Sequence, residues 1–338
     1  MKYPYIFLLA LLIMSCESDQ TKAERFFLKG NQELEHQDYQ KAIHYFDNAI
    51  LMDPQYSDAF NNRGVAKMES GRAHEAIQDY NAAIALNPGD WNCLFNRALA
   101  YESIGWFEKS LADLARYEEQ FPDTALVHFT RGLVHTKLYE YASAEMAFNR
   151  AVELDPDNAE TQINLATLHF YKGELTKSEQ SLQQIVKMYP DEANGFNTLN
   201  QVYVKQGKFD AAFEAIEKAL ELEPGEPYFL NNRGYTYLEV DSMALALEDI
   251  NQSIVIDPEN LWAYRNKGLY YLKMGEPKLA LSYLEKAAED VFVEDALLYL
   301  GDGYLANEEL AKACQTWKEG LERLESKELL QKIATYCN

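Results

Sequence analysis

Ala49-Ile50-Leu51-Met52-Asp53-Pro54 decides how this chain is read, because the phrase returns as Ala83-Ile84-Ala85-Leu86-Asn87-Pro88 and as Ala151-Val152-Glu153-Leu154-Asp155-Pro156. Pro54, Pro88, Pro122, Pro156, Pro190, Pro224 and Pro258 follow one another at a constant interval of 34 residues and use seven of the ten prolines in the chain. A period of that length is the signature of stacked helix–turn–helix units. Phased on proline, the units are 23–56, 57–90, 91–124, 125–158, 159–192, 193–226 and 227–260. An eighth (261–293, one residue short) and a ninth (294–325) continue without the proline. Leu329, Leu330, Ile333 and Ala334 then recur at helical spacing, so 326–338 is expected to cap the array.

Within a unit the small residues are in phase. Position 8 holds Gly30, Gly64, Ala98, Gly132, Ala166, Gly234, Gly268 and Gly301, and position 20 holds Ala or Ser throughout. Such residues let two helices approach closely, with larger side chains such as Phe46, Tyr80, Phe148, Ile250 and Trp317 at position 24 filling the gap. Asn200 breaks the rule at position 8 of the sixth unit, where wider packing is expected. Gly71, Gly105, Gly173, Gly207 and Gly275 at position 15 suit a left-handed residue that ends the first helix.

On these residues the region 23–325 resembles the tetratricopeptide repeat (TPR) family. Phe60-Asn61-Asn62-Arg63-Gly64 and Leu230-Asn231-Asn232-Arg233-Gly234 are similar to an Asn-Arg-Gly variety common among bacterial members. The resemblance implies an all-α, right-handed superhelical solenoid of about nine helix–turn–helix repeats plus a C-terminal capping helix, with first helices on the concave side. Position 7 is apolar in most of the family but is Arg63, Arg97, Arg131 and Arg233 here. Three of these face Asp79, Asp113 and Asp249 on the partner helix, which points to structural Arg–Asp pairs; Arg131 faces Ala147.

The concave positions carry the candidate ligand site. Position 6 is Asn62, Asn96, Asn164, Asn232 and Asn266, and an amide can pair with the backbone of an extended peptide. The competing reading is that these amides bond only to neighbouring helices or water. Glu24, Glu35, Asp58, Glu69 and Glu102 make the first three repeats acidic there, whereas Lys137, Lys205, Arg265 and Lys273 make the later ones mildly basic. Tyr228, Tyr235 and Trp262 beside Asn231, Asn232, Arg265 and Asn266 mark repeats seven and eight as the leading peptide-binding site, since aromatic and Arg anchors favour binding hot spots. Aromatics shielding the helix stack are the alternative.

The start of the chain reads as an address. Lys2 followed by the apolar run Tyr5 to Met14 suits a signal peptide over 1–15 and is too short to span a bilayer. Ile13-Met14-Ser15-Cys16 resembles the lipobox of bacterial lipoproteins, which implies acylation at Cys16, a short tether over 16–22 and attachment to an envelope membrane, the outer one by preference. Of the other cysteines, Cys93 is expected to be buried, while Cys314 and Cys337 flank a turn near Glu325. Free thiols are the first reading of that pair and a disulfide the second.

Net charge is −23 with 54 acidic residues, which argues against nucleic acid as a partner because phosphate neutralisation needs a basic stripe. The six histidines form no His-Glu-x-x-His pair, and no phosphate loop or serine elbow is present in the sequence. His135 and His169 share position 11, where core histidines are preferred to a metal pair. No metal, cofactor or catalytic residue is assigned. The expected role is a non-enzymatic protein-interaction scaffold that captures an extended polypeptide. A carbohydrate- or peptidoglycan-associated protein using the same groove is the alternative.

Overall fold

The computed structural model describes residues 18–290, 293, 295–323 and 326–337. The signal segment, Cys16, Phe292 and Glu325 lie outside the described residues. Nineteen α-helices and no strands occur among those described. They fall into two compact units, one up to Thr130 and one from Arg131 onward.

The first unit holds α1 (Asp19–Glu35), α2 (Tyr39–Met52), α3 (Ser57–Glu69), α4 (Ala73–Leu86), α5 (Trp91–Ser103), α6 (Phe107–Gln120) and the start of α7 (Ala125–Lys137). The second holds the rest of α7, α8 (Tyr141–Leu154), α9 (Ala159–Tyr171), α10 (Leu175–Met188), α11 (Ala193–Lys205), α12 (Phe209–Leu222), α13 (Pro227–Glu239), α14 (Met243–Ile256), α15 (Leu261–Lys273), α16 (Pro277–Ala287), α17 (Ala296–Ala306), α18 (Leu310–Arg323) and α19 (Lys327–Tyr336). One expectation is corrected. The first helix starts at Asp19, inside the stretch 16–22 expected to be tether, because the Ser18 hydroxyl accepts the Thr21 amide and caps it.

Each odd-numbered helix up to α17 pairs with the next through a turn set by position 15. All nine units place that residue at positive φ, from Gly71 at 75° down to Asp241 at 56°. The Asp-Pro phrase then works as a stop. Asp53 ends α2 and its carboxylate accepts the Gln55 amide, a local bond that satisfies the backbone as the helix gives way. Asp90, Asn158 and Asn260 cap the helices that follow.

Packing between paired helices runs in a register of sixteen residues. A Cβ added to Gly64 would lie 2.6 Å from Cε1 of Tyr80, so the tyrosine ring can sit on the first helix only because that residue is glycine. Phe46, Phe148 and Trp317 cover Gly30, Gly132 and Gly301 in the same way. Asn200, in place of a small residue, is buried and satisfied: its amide donates to the Ala212 carbonyl at 3.1 Å and to the Thr236 hydroxyl at 2.9 Å. The array ends under α19, where Leu329 is buried and Tyr336 lies 5.8 Å from Trp317. Cys314 and Cys337 are joined by a disulfide, so the reading that favoured free thiols is corrected. Both face the Trp317 cluster, which brings their Cα atoms to 5.6 Å.

Candidate functional site: the first-helix face

Successive first helices touch within each unit: α1 with α3 and α3 with α5, then α9, α11, α13, α15 and α17 in turn. Their shared face is therefore the inner one, and it is where the candidate ligand residues fall.

The arginines lie behind it and bind helices together. Arg97 Nε and Nη2 donate to Asp113 at 2.7 and 2.8 Å, while Nη1 donates to Asn81 Oδ1 at 2.7 Å. Arg63 grips Asp79 and, at 2.6 Å, Asp47; Arg233 grips Asp249 and, at 3.0 Å, Glu217. Each guanidinium thus reads the residue sixteen places ahead and the one sixteen behind, tying its own helix to the second helices of two repeats. The sequence reading missed the second arm. Its partners, Asp47, Asn81 and Glu217, share a position but not a residue type. The carboxylates hold these guanidiniums charged, so their affinity for protons is raised in all three. In the fourth repeat Arg131 has Ala147 at the position where the other three have aspartate. Lys267 and Tyr283 replace the Arg–Asp pair in the eighth repeat, with the ammonium 4.6 Å from the ring centroid.

The asparagines form a second set of links. Asn96 donates to Asn61 Oδ1 at 3.1 Å, Asn61 to Asn62 at 3.0 Å and Asn62 to Asn31 at 2.8 Å, a run of amides across α5, α3 and α1. Asn232 reaches Asn197 and Asn266 reaches Asn231, both at 2.8 Å. Asn164 bonds the Glu160 carbonyl of its own helix. Asn62, Asn96, Asn164 and Asn232 keep part of their surface open, but Asn231 and Asn266 are 1% and 0% exposed.

That burial corrects the reading of repeats seven and eight as an open site. Asn231, Asn266 and Arg265 are inside, with Arg265 Nε and Nη2 both donating to Asn266 Oδ1. Tyr235 is half-buried beneath the Arg265 guanidinium. Tyr228 is exposed and meets half-buried Trp262 edge-on at 6.1 Å, while Trp262 packs against the cluster of Ala287, Val293 and Ala296. Lys273 stands apart, 3.3 Å from Asp241. The basic character expected of this region is largely answered from within. In the first unit the picture differs: Glu24, Glu35, Asp58 and Glu69 are exposed. Burial and the neighbouring Asp58, Glu24 and Asp53 raise the pKa of the Tyr56 phenol.

His135 hydrogen-bonds Glu140, five residues on, at 2.7 Å, whereas His169 Nδ1 lies 3.0 Å from Glu174 without a hydrogen bond, and no metal-holding group of three side chains occurs among the described residues.

Family models for the tetratricopeptide repeat match residues 27–90, 66–125, 95–159, 199–260 and 265–322, and a second such model matches 136–201. A tetratricopeptide repeat protein from Parabacteroides merdae is similar in structure, with TM-score 0.64 and 21% identity over 70% of this chain and 93% of that one. Pseudomonas aeruginosa pilF gives 0.51 and 17% over 62% and 96%. A chain of the APC/C hetero-tetramer Cut9–Hcn1 gives 0.59 and 12% over 95% and 77%. At these identities the likeness is one of fold. No curated protein sequence matches the chain. With helix pairs in a constant register and family models covering nearly the whole described array, the chain belongs to the tetratricopeptide-repeat family.

Proposed function

We propose that this chain is a non-enzymatic interaction scaffold, held to a bacterial envelope membrane through lipid on Cys16, that captures an extended polypeptide on the first-helix face. The observation that carries the reading is the first unit's inner face, where half-open amides from Asn31 to Asn96 lie beside the exposed Glu24, Asp58 and Glu69. Amides offer donors and acceptors to a peptide backbone, and carboxylates favour basic side chains on it. Export is supported by the Cys314–Cys337 disulfide, since such bonds persist in oxidising compartments. A carbohydrate ligand is the second reading, favoured by the exposed Tyr228 against Trp262.

The test is affinity capture from envelope extract by the wild-type chain and by a Glu24→Lys/Asp58→Lys/Glu69→Lys variant. A defined polypeptide held by the first and lost by the second is the expected result. Equal recovery by both, or glycan alone, rejects the groove. Membrane fractionation of Cys16→Ser tests the anchor: release is expected, and an unchanged membrane fraction rejects it.

A further inference from the structure

The disulfide at the end of the array is not sealed in the core. Cys314 and Cys337 are half-buried, whereas the other described cysteine, Cys93, is buried. On one side Cys314 lines an open depression of about 510 Å³ along α18, with Ala311, Gln315, Lys318, Glu319 and Glu322. On the other, Cys337 caps the end of α19 beside the exposed Thr335 and Tyr336. A thiolate in solution can therefore reach the bond while the array stays folded.

What the bond holds is a helix with few other attachments. Of the ten residues of α19, Leu329 alone is buried. It is seated where Gly320 leaves room, since a Cβ there would come within 3.1 Å of Leu329 Cδ1. Lys332 Nζ adds a polar tie, 2.7 Å from Asp302 Oδ1 on α17. Beneath α19 lies Trp317, fully buried, with the Tyr336 ring and the Lys332 ammonium each 5.8 Å from its ring. In a linear array an end element can detach while the other repeats remain folded. Chemistry at this one bond is thus coupled to one helix.

We propose that Cys314–Cys337 is a thiol–disulfide exchange site for a dithiol reductant, and that exchange unlocks α19 from the ninth repeat. A thiolate of the dithiol attacks Sγ of Cys337 and forms a mixed disulfide there. The bond between the two cysteines breaks, and its electron pair leaves on Sγ of Cys314, which takes a proton from water. The second thiolate of the reductant then attacks its own sulfur in the mixed disulfide, so that Cys337 departs and is protonated in turn. Two electrons pass to the protein, and the dithiol becomes a disulfide. The direction of attack follows from where each sulfur sits, because the better-stabilised thiolate leaves faster. Cys337 lies at the carbonyl end of α19, which disfavours an anion. Cys314 faces the open depression and has Lys318 four residues on, on its own side of the helix, as Glu319 is not.

The test takes the full chain as Cys16→Ser, with dithiothreitol as the dithiol, iodoacetamide to label free thiols and mass spectrometry to locate them. Cys314 and Cys337 are expected to label while Cys93 stays unlabelled, at a rate that dilute urea, short of the unfolding transition, leaves unchanged. Labelling in step with Cys93, or a rate that climbs with urea as unfolding does, overturns the proposal. Glutathione, a monothiol that cannot complete the second step, is expected on Cys337 in acid-quenched samples; an adduct on Cys314, or none, overturns the step as written. Hydrogen–deuterium exchange of the reduced, alkylated chain reads the lock. Exchange in α19 is expected to quicken roughly tenfold or more, as loss of a chain-closing bond implies, with α1 to α6 unchanged. Unaltered exchange in α19 overturns the unlocking. None of these results bears on the groove reading, which the envelope capture decides.

Discussion

Arg97 and Arg63 make the same fork in unequal company, and that difference is measurable. Asp113 is 11% exposed with Arg97 beside it, whereas Asp79 also has Lys67 Nζ at 2.7 Å. Arg97→Ala should lower unfolding stability by about 3 kcal/mol, because it strands a buried carboxylate. Arg63→Ala should cost less, about 1–2 kcal/mol, since Lys67 remains. Urea melts of the two variants check the order, and Arg97→Lys should recover only part of the loss because it lacks the planar fork. His169 sets a pH response. Burial, with a lesser contribution from Lys177, lowers its pKa, so the folded state resists a proton that the unfolded chain accepts below about 6.5. Its contribution is complete above that pH and is lost as pH falls through the lowered value. His169→Phe should flatten the stability slope between pH 6.5 and 5, read from denaturant midpoints. The Cys93 thiol donates to the Tyr80 carbonyl, and burial raises its pKa to about 12. In Cys16→Ser protein, thiol titration should find no reaction while folded, one thiol after unreduced denaturation and three after reduction.

At the scale of the helix pair, the turn residue is the natural lever. Glu308 holds φ 64° where five of the nine units have glycine, so Glu308→Gly should stabilise the ninth repeat by about 1 kcal/mol. Gly105→Ala, with open space around the added Cβ but φ 74°, should cost a similar amount. Thermal melts decide both. These turns were legible because glycine advertises its φ, yet Gln37, Tyr139, Asp241 and Glu308 adopt the same conformation without advertising it. The inner amides show a different limit. Asn at position 6 suits a ligand, water or a neighbouring helix equally well, so the residue type alone does not choose. A subtler signal was present: Asn61 and Asn96, Asn197 and Asn232, and Asn231 and Asn266 are all 35 residues apart, one more than the period. That offset places each amide on the previous first helix. Burial of Arg265 and Asn266 had no such signature, because it follows from how closely α13, α15 and α17 approach. The start of α1 was legible in Ser18 and Thr21, whose capping contact the repeat phase conceals.

Over the whole chain, each repeat depends on its neighbours, and the last depends on a staple. The Cys314–Cys337 bond closes a separation of 23 residues, worth about 3 kcal/mol in chain entropy. In a linear array that loss stays local. Cys337→Ser should accelerate amide exchange in α18 and α19 and leave α1 to α6 as they were, by hydrogen–deuterium exchange. The two-armed arginines carry a consequence for how such a chain can be edited. Since each reads sixteen residues in both directions, a repeat fits behind any predecessor that offers an acid or an amide at one surface position. Excising 57–90 in a single piece would bring Asp47 to the place that Asn81 holds beside Arg97, and the joint should close again. Cutting the same length out of phase would leave the guanidinium facing whatever side chain the frame supplied. The chain is thus spelled in interchangeable words of fixed length, with arginine as the mark that checks the spacing between them.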